Sequence, residues 1–172
     1  MGGIAMKARN LFAGLACLMI ATMRSPAASD TVVDCFLALP EQVFHQGTPS
    51  ELLDIMKRGE GESIVDTEKG FLRLEGDGTQ VSLQVVLLRF EDKRPLLVVA
   101  WGERDEAEFT HLTFFEEKGG RMTVARRSIF PVADSSELRF ELPHQGRTVT
   151  VRDATGSILS KWAWKGDKFV KE

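Results

Sequence analysis

The sequence predicts an α+β domain that is predominantly β: short N-terminal helices followed by an antiparallel β-meander of about eight or nine strands, forming a curved sheet or a sandwich. Three observations predict it. Apolar residues recur at helical spacing only between Asp34 and Met56, the period changes to two from about Ser63 onward, and turn-forming residues interrupt that alternation at short intervals.

The 172 residues suffice for a leader and one domain around a single core. With 43% hydrophobic and 27% charged residues, the composition is that of a chain able to bury a core, not of a disordered one. Lys7 and Arg9 precede an apolar run from Leu11 to Met23, and Ser25, Pro26, Ala27 and Ala28 follow as a small-residue cleavage region. This is the layout of a secretory signal. The apolar run is shorter than the roughly 20 residues that span a bilayer. We therefore expect a cleaved leader over residues 1–28 and a single globular domain over residues 29–172, exported to the periplasm or outside the cell, with no transmembrane span after cleavage. Cys17 invites a lipid-anchor reading, but Gly14, Leu15 and Ala16 fit that cleavage box poorly and apolar residues continue past it. Cys35 is then the only cysteine of the domain, which excludes an intramolecular disulfide and points to a buried thiol. Without the leader the chain has 19 basic against 25 acidic residues, a formal net of −6, which opposes binding to nucleic acid by bulk charge.

Val33, Phe36 and Leu37 fall at helical spacing before Pro40 ends the turn. A second helix is better punctuated: Thr48 can cap, Pro49 suits the first helical position, Glu51 completes a capping box and Gly59 is a stop. Its apolar side is Leu52, Leu53, Ile55 and Met56. Strand segments follow at Ile64 to Asp66, Phe71 to Glu75 and Val81 to Phe90. Leu96 to Trp101 is a continuous apolar run suited to a central strand. Phe109 to Glu116 and Arg121 to Arg127 flank a glycine-containing hairpin turn, and Leu138, Phe140 and Leu142 alternate with charged residues. Thr148 to Arg152, Ile158 to Trp164 and Lys168 to Lys171 complete the series. Phe90-Glu91-Asp92-Lys93 is echoed by Phe115-Glu116-Glu117-Lys118, a pattern that a duplicated hairpin would leave.

The motifs of common chemistries are missing. No H-E-x-x-H, G-x-S-x-G, Walker or dinucleotide loop occurs, so no catalytic residue, metal or cofactor is assigned. The candidates that remain are for ligand binding. Trp162 and Trp164 share one face of a late strand, as core or as a platform for sugar or peptide. Glu103, Asp105 and Glu106, with Glu108, form the densest acidic stretch, and His144 stands in the turn Pro143-His144-Gln145-Gly146. His111 reads as a half-buried strand residue. No tyrosine occurs, which weakens readings that lean on aromatics with a polar handle.

Several segments together resemble a loose group of uncharacterised bacterial secreted proteins, periplasmic or lipid-anchored. They are Asp34-Cys35-Phe36-Leu37-Ala38-Leu39-Pro40, Val65 to Leu72, Phe114-Phe115-Glu116-Glu117, Glu141-Leu142-Pro143 and Trp164-Lys165-Gly166-Asp167-Lys168-Phe169. The resemblance implies a β-rich exported domain and no activity. The function expected is therefore a non-enzymatic binding or accessory protein of the bacterial envelope, with an envelope protein or a small ligand as partner. The alternative is a small secreted hydrolase, or an inhibitor of one, working through loops such as Glu103 to Glu108 and His144.

Overall fold

The computed structural model describes residues 31–44, 47–59, 62–75, 82–102 and 109–172. The expected leader, His45 and the acidic stretch of Glu103, Asp105 and Glu106 lie outside these residues. Two helices come first, α1 (Val32–Leu37) and α2 (Pro49–Arg58). Each starts from a threonine whose hydroxyl accepts a backbone N–H three residues on, while the acid at that position accepts the threonine's own N–H: Thr31 with Asp34, and Thr48 with Glu51. Gly59, left-handed at φ 69°, ends α2 as its sequence foretold. In α1 the buried face is Val32, Cys35 and Phe36, and Leu37 is exposed. Of the expected set, Phe36 is in the core and Val33 packs against it half-buried, while Leu37 is replaced there by Val32, Cys35 and, just beyond the helix, Leu39.

Ten strands follow, not eight or nine, because every segment in which the sequence alternates, the short first and last ones included, forms a paired strand of its own. They are β1 (Ser63–Asp66), β2 (Phe71–Leu74), β3 (Leu83–Arg89), β4 (Pro95–Trp101), β5 (His111–Lys118), β6 (Arg121–Val124), β7 (Leu138–Glu141), β8 (Thr148–Asp153), β9 (Ile158–Trp164) and β10 (Phe169–Lys171). All pairing is antiparallel and falls into two sheets, one of six strands in chain order β1 to β6 and one of four in the order β10-β9-β8-β7.

The six-stranded sheet is covered on both faces. On one side Leu72, Leu74, Val85, Leu97, Val99 and Phe115 pack under Phe36, Leu52, Leu53 and Met56 of the helices. On the other, Phe71, Val86, Leu88, Leu96, Val98 and Phe114 meet Phe140, Val149, Val151, Trp164 and Phe169 of the four-stranded sheet. That double burial is why β4 reads as an unbroken apolar run. Hydrogen bonds tie the four-stranded sheet to the six-stranded one and its flanking backbone. The Leu142 N–H donates to Gln84 Oε1 at 3.0 Å, the Phe140 N–H to the Phe109 carbonyl at 2.8 Å, and the Trp164 indole N–H to the Arg89 carbonyl at 2.8 Å. Among the described residues no helix is long and apolar enough to cross a membrane.

The two echoed tetrapeptides play different parts. Phe90 to Lys93 make the tip of the β3–β4 hairpin, whereas Phe115 to Lys118 lie inside β5.

Candidate anion-binding cleft

Trp162 and Trp164 both point toward the six-stranded sheet. Trp164 is 2% exposed, wedged between Phe90 and Phe169 with ring centroids at 5.3 and 5.1 Å. Trp162 is half-buried against Phe130 and gives its indole N–H to Ser160 Oγ at 2.9 Å. His144 is exposed. Its Nε2 lies 2.9 Å from Asp66 Oδ2, and its ring sits 4.8 Å from that of Phe71. The backbone N–H of Lys69, and then His144, hold the Asp66 carboxyl below the usual aspartate range. His111 stacks on Trp101 at 4.3 Å. Among the described residues no group of three metal-ligating side chains converges.

Clefts of about 260 to 320 Å³ open at several places on the described surface, so size singles out none of them. The number of cations without an ion pair does. Beside Phe90 and Ile129, Arg94 and Lys118 are both paired with Glu116, which leaves Arg126 as that cleft's one cation without an ion pair among the described residues. Beside Phe109 and Phe140, Arg152 is paired with Glu141 and Arg73 with Glu75, and Arg139 gives its guanidinium to the Ser136 and Leu138 carbonyls. The third cleft, of about 280 Å³, lies where the β3–β4 hairpin tip meets the loop entering β8 and the β9–β10 turn. It presents Arg89, Lys93, Arg147 and Lys165 against one carboxylate, Glu91. Among the described residues Lys93, Arg147 and Lys165 make no ion pair.

Backbone contacts hold these cations around the cleft. The N–H of Trp164 donates to the Arg147 carbonyl at 2.8 Å, which binds the loop entering β8 to the end of β9, next to Lys165. The Glu91 N–H donates to the Gly166 carbonyl at 3.2 Å, joining the hairpin tip to the β9–β10 turn. Gly166 is required twice over: its φ is +101°, and a Cβ there would sit 2.8 Å from Cγ of Glu91.

The hairpin tip is built unusually. Lys93 adopts φ +70°, and every other left-handed position among the described residues is a glycine. Its carbonyl accepts Arg89 Nη1 at 3.0 Å. The neighbouring Asp92 is engaged by Arg94 Nε at 2.7 Å, which holds the Asp92 carboxyl below its usual range, and the Arg94 guanidinium caps the Phe90 ring at 4.9 Å. The acid beside Lys93 is thereby committed elsewhere.

Of the residues singled out in the sequence, Trp164 alone touches this cleft's frame, through Arg89 and Arg147, and His144 fixes the loop that continues to Gly146 and Arg147. The cleft's own cations went unnoticed because they lie in or beside three separate turns. The available signal was a connection, Phe90 to Arg94, with neither glycine nor asparagine at the position that needs positive φ.

No family model and no curated protein matches the chain. Among solved structures, a domain of an uncharacterized protein from Porphyromonas gingivalis W83 is similar to it with a TM-score of 0.55 at 15% identity, over 84% of this chain and 98% of that one. At that identity the likeness is one of fold.

Proposed function

We propose that this chain is a non-enzymatic binding protein of the bacterial cell envelope, and that it takes an anionic ligand in the cleft between the β3–β4 hairpin and the β9–β10 turn. The observation that carries the reading is the set of unpaired cations Lys93, Arg147 and Lys165 around one cleft in a chain whose net charge is negative. Holding like charges together without counter-ions costs electrostatic energy, which a bound anion would return. Export rests on the leader-like N-terminal pattern, and a bacterial domain of the same fold is consistent with the setting.

The hydrolase alternative draws on the His144–Asp66 pair, which has the geometry of a base and its orienting acid. Among the described residues no hydroxyl or thiol is hydrogen-bonded to His144, so binding is the better supported reading.

The test is a thermal-shift panel of acetate, citrate, sulfate and phosphate at low ionic strength, on the wild type and on an Arg147→Glu/Lys165→Glu double variant. Stabilisation of the wild type by at least one anion, lost in the double variant, supports the reading. Equal responses in the two proteins, or ester hydrolysis abolished by His144→Ala, would sink it.

A further inference from the structure

Resting on that reading, we infer that the ligand is a phosphomonoester carried on a hydroxylated group. The charge comes first. Lys93, Arg147 and Lys165, which make no ion pair among the described residues, stand against the single carboxylate of Glu91, a formal excess of two positive charges at the cleft. A carboxylate ligand offsets one of them. A phosphomonoester carries about −1.5 to −2 at neutral pH in one compact group with three acceptor oxygens, and so offsets more in the same space.

Direction comes second. A planar carboxylate is matched best by the two parallel N–H groups of a single arginine. Here the cations arrive from three separate segments, with Arg89 and Lys93 from the hairpin, Arg147 from the loop before β8, and Lys165 from the β9–β10 turn. Donors converging from several sides suit a tetrahedral group whose oxygens diverge.

Glu91 supplies the third argument. Its side chain lies over Gly166, with Oε1 3.6 Å from where a Cβ would be, and it lines the cleft. Among the described residues its carboxylate has no ion-pair partner. An ionised carboxylate only accepts hydrogen bonds, so within an anion site it repels the ligand unless the ligand also brings a donor. A hydroxyl next to the phosphate ester is such a donor. There is room for one: at roughly 30 Å³ per heavy atom, the share of a water molecule in the liquid, a phosphate fills about half of the cleft.

Isothermal titration calorimetry at low ionic strength tests this, with glycerol 3-phosphate, inorganic phosphate, acetate and glycerol as probes. The proteins are the wild type, Arg147→Gln/Lys165→Gln and Glu91→Ala. We expect glycerol 3-phosphate to bind about tenfold more tightly than inorganic phosphate, the worth of one hydrogen bond to a charged acceptor, and acetate and glycerol to bind far more weakly. Glu91→Ala should erase that preference while inorganic phosphate binds at least as well, and the double variant should lose both phosphates. Acetate binding as tightly as the phosphates, with all binding lost in the double variant, overturns the phosphomonoester and leaves the anion cleft standing. A preference that survives Glu91→Ala also overturns it. Phosphate binding that is unchanged in the double variant overturns both the ligand class and the cleft. A parallel sedimentation with phosphatidylcholine vesicles carrying lysophosphatidic acid, a phosphomonoester that keeps a free hydroxyl, against phosphatidylcholine vesicles alone names the source. Sedimentation through the cleft points to a lipid headgroup, and glycerol 3-phosphate binding without sedimentation points to a soluble ester.

Discussion

Replacing Lys93 by glycine should make the protein more stable and a poorer binder, and the two effects have separate origins. At φ +70° the lysine Cβ crowds its own backbone, a strain of about 1–2 kcal/mol for a residue that is not glycine. Glycine removes the strain but gives the unfolded chain more freedom, which returns about 0.4–1 kcal/mol. The difference is a net stabilisation of about 0–1.6 kcal/mol, or up to about 6 °C in Tm for a domain of this size. The contact from Arg89 Nη1 survives, since its acceptor is the backbone carbonyl of residue 93. What is lost is the ammonium. If it holds a phosphate oxygen, a charge-assisted bond worth about 1.5–3 kcal/mol disappears and affinity falls at least about tenfold. Urea unfolding and calorimetry with glycerol 3-phosphate read the two terms on the same samples. Lys93→Asn is the control, because asparagine tolerates the left-handed region without carrying the charge. It should bind as poorly as the glycine variant with a smaller gain in stability. A lower urea midpoint for Lys93→Gly would refute the strain argument, and unchanged affinity would remove Lys93 from the site.

Trp164→Phe keeps the aromatic packing but deletes the bond to the Arg89 carbonyl, and should cost about 1–3 kcal/mol in urea unfolding; an unchanged midpoint would mean that the indole N–H does not join the sheets. Gly166→Ala meets both a forbidden φ and the Glu91 side chain, and should cost about 1–3 kcal/mol. Adding Glu91→Ala should recover only the steric part, which a double-mutant cycle measures. The Asp66 carboxyl sits below its ordinary value of 3.8, so its contribution is fully present above that pH and is lost as the pH falls through the lowered folded value. Asp66→Asn should flatten the fall of the denaturation midpoint below about pH 4, and identical acid profiles for the two proteins would count against the Lys69 and His144 contacts.

The layered arrangement was legible where one physical demand acts along the chain. Burial on two faces makes β4 apolar at every position from Leu96 to Ala100, and a helix that needs capping shows Thr48, Pro49 and Glu51 in order. Leu138 to Glu141 were legible for the opposite reason: β7 buries Phe140 and leaves its charged neighbours toward solvent, so the alternation survives in the sequence. Even β1 and β10, of four and three residues, were legible from the turns beside them, and only the summed count of eight or nine fell short of the ten strands. The pairing of sheets was hidden, because Gln84 and Trp164 act on backbone atoms 58 and 75 positions away. The cleft was hardest to foresee for the same reason. Its cations sit near turns that look alike in sequence, and a lysine in a turn ordinarily means a solvated surface. What sets these apart is which turns the topology brings to one end. The antiparallel order places the β3–β4 tip, the loop before β8 and the β9–β10 turn together, while Asp92, the nearest acid to Lys93 in sequence, is paired with Arg94. A charge pattern that is unremarkable along the chain becomes a local excess only after folding. The left-handed backbone of Lys93 is the one part of that arrangement whose cost falls on a residue easily replaced by glycine, and this is why the ammonium, and not the turn, is the feature to test.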